Sequence, residues 1–357
     1  MKKAYLVLEN GKVFEGTAMG KEGEACGELV FTTGVVGYPE TLSDPAYAGQ
    51  IILSTFPSVG NYGVMEADLE SEYGAAGYVV RDVCDVPSNF RTDLTLDAFL
   101  KKKGIVGISG VDTREITKIL RDSGSLSAQI LTEKPEKNPS FPKKAVHLVK
   151  EVSRKEKAVF AAEGEAIYNV ALIDYGTTKS LIESLTKRGC RVTVYPYNTA
   201  AEEILGDAPD GVVLSGGPGN PSVYTAETTE IGKLFGKVPL FGIGLGHQML
   251  AQSQGGECEK MEKGHRGTNH PVMSRDKSRT RITSQNHGYA VKSGSLKDTA
   301  EEIFINANDG TVEGLAYPGK NCFSVQFTPE KECHEDNTAF LWDVFIKRMG
   351  GEENATR

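Results

Sequence analysis

The run Val238-Pro239-Leu240-Phe241-Gly242-Ile243-Gly244-Leu245-Gly246-His247-Gln248 is a short apolar strand, a tight glycine-bracketed turn and the start of a helix. A bend of the form Gly-x-nucleophile-x-Gly holds one reactive side chain on a sharp strand-to-helix turn, and its glycines are there because neither neighbour has room for a Cβ. In this chain the apex is Gly244, so the bend carries no nucleophile. A plainer reading of the same three glycines is a close strand-helix approach with no chemistry attached.

Upstream of the bend, strand and helix signals alternate. Val170 to Asp174 is a short apolar run, Lys179 to Lys187 has helical periodicity, and Gly189 supplies its stop. Arg191 to Tyr195 reads as the next strand, followed by a helix from Ala200 to Leu205, a strand from Gly211 to Leu214 and a helix from Glu227 to Leu234. This order predicts a mostly parallel sheet covered by helices on both faces, with functional loops at the carboxyl ends of its strands. After residue 256 the pattern turns to short strands and hairpins, with a turn at Asp309-Gly310 and an amphipathic helix from Asn337 to Met349.

The first half differs. Short β-rich runs such as Glu28 to Thr33 and Gln50 to Phe56, broken by turn residues, predict a mixed α+β domain, and Asp112-Thr113-Arg114-Glu115 reads as a capping box opening a helix to Arg121. Between the halves, Thr132 to Lys144 carries three prolines among charged side chains, which is too polar for a core element. The expected division is residues 1–135, a connector over 136–166 with one short helix near Val146 to Val152, and 167–357.

At 357 residues the chain can bury two ordinary cores, and 39% hydrophobic with 25% charged residues is a globular balance. A net charge of -8 argues against a nucleic-acid or anionic-membrane surface. The N-terminal apolar run is too short for a signal peptide and no segment approaches the length of a membrane span, so a cytoplasmic location is the expectation. Cys26, Cys84, Cys190, Cys258, Cys322 and Cys333 are scattered without a Cys-x-x-Cys pair, which fits reduced thiols.

Several longer motifs go further. The first half contains Val35-Val36-Gly37-Tyr38-Pro39-Glu40-Thr41-Leu42-Ser43-Asp44-Pro45, Ser58-Val59-Gly60-Asn61-Tyr62-Gly63, Pro87-Ser88-Asn89-Phe90-Arg91 and Ile108-Ser109-Gly110-Val111-Asp112-Thr113-Arg114. The second adds Leu214-Ser215-Gly216-Gly217-Pro218-Gly219-Asn220-Pro221, Gly264-His265-Arg266-Gly267-Thr268-Asn269-His270-Pro271-Val272 and Ser284-Gln285-Asn286-His287-Gly288-Tyr289. Together these resemble the small subunit of carbamoyl phosphate synthase across nearly the whole chain, and the elbow resembles that of class I glutamine amidotransferases. Only the second half would be shared with other class I amidotransferases.

The resemblance implies a partnership. In that family the small subunit hydrolyses glutamine, and ammonia passes to a large subunit that uses ATP, Mg²⁺ and bicarbonate to make carbamoyl phosphate for arginine and pyrimidine synthesis. No cofactor is expected on this chain, in keeping with its lack of a Gly-x-x-x-x-Gly-Lys-Ser/Thr run. Covalent amide hydrolysis needs a thiolate, a histidine to move the proton, a carboxylate to orient that histidine and N–H donors for the oxyanion. The family's cysteine falls on Gly244, its histidine on Thr328 and its glutamate on Glu330. A threonine hydroxyl is no base near neutral pH. The resemblance further implies oxyanion and glutamine contacts from Gly217, Gly219 and the Leu245 N–H, and a hold on the substrate's amino and carboxylate groups by Gln248, Asn286, Gly288 and Tyr289. Ala46 stands where the family usually has a serine framing the pocket, and Gly216 and Asn220 depart from its usual Asn and Asp.

Three functions are therefore open: a non-hydrolytic small subunit that binds the large subunit, a glutaminase with an unrecognised nucleophile, and a regulatory paralogue that binds glutamine or glutamate. His265, His270 and His287 lack a metal-ligand spacing, and no metal is expected. The adjacent Cys333 and His334 read as surface-loop residues rather than a relocated catalytic pair.

Overall fold

A computed structural model describes residues 2–136, 140–141, 147–330 and 338–351, which form two compact units, Met1–Val146 and His147–Arg357. Cys333 and His334 lie outside the described residues, as do parts of the expected connector.

In the first unit seven strands close into a barrel. In barrel order they are Lys3–Leu8, Val13–Gly20, Val106–Ser109, Gly77–Val79, Gln50–Ser54, Ala25–Thr32 and Leu126–Leu131. Period-two side-chain direction sends alternate residues to two cores. Leu29, Ile51, Leu53 and Val79 pack with Ile116 and Leu120, whereas Val30, Ile52 and Tyr78 pack with Phe99 and Leu100. The helix Thr113–Ser123 starts as expected, with the Asp112 carboxylate accepting from the Glu115 N–H at 2.9 Å. The Glu115 carboxylate pairs with Lys12 at 3.0 Å on the exposed surface. The α+β class was legible; closure into a barrel was not, because its pairings join strands far apart in sequence, such as Thr17 with Ser109.

The second unit is built on one ten-stranded sheet. Its parallel core runs Cys190–Pro196, Tyr168–Asp174, Gly211–Leu214, Leu240–Ile243, Cys322–Val325. These strands are nearly continuous apolar runs because both faces are covered. Ile204, Ile231, Leu234, Met249 and Leu250 pack on one face, and Leu181, Leu185, Leu341, Trp342 and Phe345 on the other. The expected connector supplies the helix Val149–Val152 and an antiparallel edge strand, Ala158–Phe160. Beyond Cys322–Val325 the sheet continues as an antiparallel wing. There the expectation of short strands is corrected: Cys258–Ser274 and Thr280–Val291 form a long hairpin. Register shifts between Lys260 and His265 and between Gly267 and His270 break the alternation that would have revealed it. The Asp309-Gly310 turn does join Glu301–Asn306 to Val312–Tyr317.

Candidate functional site

Four loops meet at the carboxyl ends of the parallel strands: the elbow at Gly244, the loop after Leu214, the turn after Asp174, and Gln326 to Glu330. This is where an open α/β sheet places its ligand.

The elbow is a sharp strand-to-helix bend. Gly244 has φ 55° and ψ -111°, its N–H donates to the Val325 carbonyl at 2.9 Å, and the helix Leu245–Ser253 begins immediately after it. Its flanking glycines are required by space. A Cβ on Gly246 would lie 2.5 Å from the Leu214 carbonyl oxygen, and one on Gly242 would lie 2.9 Å from that of Gly246. At the apex the opposite holds: a Cβ on Gly244 would meet only the Gly216 Cα at 3.4 Å and the Gln326 carbonyl oxygen at 3.8 Å. Close packing therefore explains the brackets and not the apex. Gly246→Ala is expected to cost about 3 kcal/mol through overpacking against immobile backbone, read as a lower urea midpoint at unchanged slope.

The remaining expected residues are placed as follows. Glu330 accepts a hydrogen bond from the Thr178 hydroxyl at 3.1 Å, and Thr178 also caps the helix Lys179–Thr186. Thr328 is fastened by its own N–H to the Ser284 carbonyl at 3.0 Å. Gly217 packs where a Cβ would lie 2.2 Å from the Tyr175 carbonyl oxygen. At Gly219 φ is 97°. The Leu245 N–H sits at the first helical position, where no intrahelical acceptor exists. Gln248, one turn along, donates through Nε2 to the Tyr289 carbonyl at 2.8 Å and to Gln326 Oε1 at 2.9 Å. Asn286 and Gly288 lie on the same strand as Tyr289. Both polar atoms of the Asn286 amide are buried without a hydrogen-bond partner among the described residues. Ala46 belongs to the first unit, in the turn Pro45–Tyr47 where its N–H is capped by Asp44.

Thr178, Gln326 and the Ser284 bridge went unread in the sequence. Thr178 is legible as a helix cap, but its hold on Glu330 spans 152 positions. Around the site the thiols are muted: Cys258, whose Sγ lies 3.7 Å from the Gln248 carbonyl, is pushed by burial up to about 12. His247 in the elbow helix is fully buried, bonded through Nδ1 to Ser324 Oγ at 2.8 Å, and burial lowers it to about 3. It is a neutral core imidazole. The histidines set aside as non-metal residues do gather: ring centroids of His265 lie 4.9 Å from those of His270 and His287, and donor atoms of His265, His287 and Glu313 all fall within 4.8 Å of one another. Glu313 was not anticipated.

The first unit matches, over residues 6–130, the family model described as the carbamoyl-phosphate synthase small chain, CPSase domain; residues 171–348 match class-I glutamine amidotransferase. A carbamoyl phosphate synthase small chain from Listeria monocytogenes serotype 4b is 46% identical over 99% of this chain and 98% of its own length. This chain belongs to the carbamoyl phosphate synthase small chain family. One from Clostridium perfringens is 45% identical over 97% of this chain and 99% of its own. A relative from Halalkalibacterium halodurans named as a pyrimidine-specific small chain is 44% identical over 97% of each. No described helix is long and apolar enough to cross a membrane.

Proposed function

We propose that this chain serves as a carbamoyl phosphate synthase small subunit that docks on an ATP- and Mg²⁺-using large chain but does not itself release ammonia from glutamine, so that the pair runs on free ammonia. The observation that carries the reading is Gly244: a sharp strand-to-helix bend, followed at once by the first-turn N–H of Leu245, has an apex with no side chain. Thr328 at the proton-carrier position supports it, because a hydroxyl can neither take nor return the proton at neutral pH. Cys258, a thiol in contact with the elbow helix, is held protonated by burial and is a poor nucleophile.

The test is the chain co-expressed with the large subunit of a close relative. Carbamoyl phosphate should form from ammonium salts, while glutamine should give neither product nor ammonia above the large subunit alone. Glutamine-dependent synthesis abolished by a glutamine-analogue alkylator would favour the alternative, a working glutaminase with another nucleophile. A third reading, a subunit that keeps glutamine as a regulatory ligand, draws on Asn286, whose buried amide has no hydrogen-bond partner among the described residues and lies on a strand lining the site. Whether the product feeds pyrimidine or arginine synthesis follows from which large chain accepts this one; the pyrimidine-specific relative favours the former.

A further inference from the structure

The antiparallel wing contains a buried polar chain that ends at the elbow helix. His265 Nε2 lies 2.9 Å from Asp309 Oδ2 and Nδ1 lies 3.3 Å from Glu313 Oε1. The Asn306 amide nitrogen lies 3.4 Å from the same Nδ1 but donates to Glu313 Oε1 at 3.0 Å, so both N–H groups converge on one carboxylate oxygen. Glu313 is fully buried, and its other oxygen accepts from Gln285 Nε2 at 2.9 Å. Gln285 Nε2 also donates to Thr283 Oγ1, which fixes the amide so that Oε1 faces His287 Nε2 at 3.0 Å. His287 Nδ1 then lies 2.8 Å from the Tyr289 carbonyl, the same oxygen that accepts from Gln248.

Four ring nitrogens thus face four acceptors; an imidazolium at His265 and a neutral ring at His287 own three N–H groups, so His287 donates to either the Gln285 amide oxygen or the Tyr289 carbonyl and not to both. Burial and the repulsion of neighbouring cations, with His265 first among them, hold His287 well below the ordinary imidazole range. His265 goes the other way: burial opposes its charge, but the carboxylates of Glu313 and Asp309 outweigh that and raise it. The other titratable or charged groups around it are His270, which burial lowers to about 4, and Arg266 on the same strand. We propose that His265 is a positioning residue: held as an imidazolium between Glu313 and Asp309, it locks Glu313 and the Gln285 amide against which the His287 ring is seated, and so sets where that ring stands against the Tyr289 carbonyl that holds the Gln248 amide beside the elbow. Its purpose rests on the glutamine pocket read above, whereas the bracing itself does not need that pocket to be filled.

The experiment uses the full chain labelled with ¹⁵N in histidine rings and glutamine amides. At pH 7.5 both ring nitrogens of His265, assigned by their loss in His265→Asn, should fall in the protonated range. Exchange of the Gln248 side-chain amide should be slow in the parent and at least about tenfold faster in His265→Asn. Asp309→Asn, on an exposed turn, keeps the fold if His265→Asn does not, and should weaken His265's proton affinity about tenfold. A neutral His265 at pH 7.5, or Gln248 exchange and His265 titration indifferent to the variants, would overturn the proposal. So would one zinc ion retained per chain with loss of the His265 and His287 N–H signals, which would make the cluster a metal centre. Failure of glutamine to bind would count against the pocket alone, since none of these signals requires it.

Discussion

Gly244→Cys combined with Thr328→His is expected to give measurable ammonia release from glutamine, while each single variant stays at background. A nucleophile and its base act as one unit: in a serine protease, losing either costs about as much as losing both, on the order of 10⁶ in turnover. A lone thiol would lack a partner to take its proton, and a lone imidazole would have nothing to activate. The geometry favours the pair. A Cβ at 244 enters space whose nearest atoms are 3.4 and 3.8 Å away, and the Leu245 N–H stands at the helix start with no intrahelical acceptor, open to an oxyanion in the proposed reaction. Glu330, steadied by Thr178, is two residues from position 328. The cost is strain, since any side chain at φ 55° and ψ -111° sits in a region that disfavours L-residues, worth about 1–3 kcal/mol of stability. Gly244→Ala should show that loss with no gain in activity, separating strain from chemistry. If the double variant binds glutamine and is alkylated at position 244 yet releases no ammonia, the remaining framework is not a competent amidohydrolase, and the loss reaches beyond two side chains.

What was legible divides along physical lines. The parallel core could be read because its strands are buried on both faces and write themselves as apolar runs, as in Val212-Val213-Leu214. The elbow could be read because Gly242 and Gly246 are demanded by backbone contacts under 3.0 Å, and a steric demand leaves an unambiguous residue. Barrel closure, the Thr178–Glu330 bond and the Glu313 network were hidden for one reason: each joins positions whose separation no local periodicity encodes. Register shifts hid the long hairpin more directly by breaking the very alternation a reader counts. His265 and His287 looked unrelated along the chain because the acid that stands between them sits on a later strand.

Acidification from pH 6.5 to 4.5 is expected to remove several kcal/mol of the second unit's stability, well before most carboxylates titrate. Burial keeps His247 near 3 and His270 near 4, and together with neighbouring cations it holds His287 well below its ordinary value, so all three fold as neutral rings. In the unfolded chain they bind protons below about 6.5, and the unfolded state then holds more protons than the native one. The sign follows: this stability is complete above the unfolded pKa and is lost as pH falls towards the folded values, by up to about 2.7 kcal/mol per ring at pH 4.5. His265 behaves oppositely, because its raised value stabilises fully in acid and fades only as pH rises through it. It therefore offers no compensation that grows over the same interval. Thermal unfolding of the parent at pH 7 and 4.5, beside His270→Asn, checks the account: the parent should drop steeply, and the variant, with one fewer ring to charge, should drop less. A melting temperature unchanged from pH 7 to 5 would mean that the buried rings accept protons in place, which the absence of a hydrogen-bond partner for His247 Nε2 among the described residues makes costly.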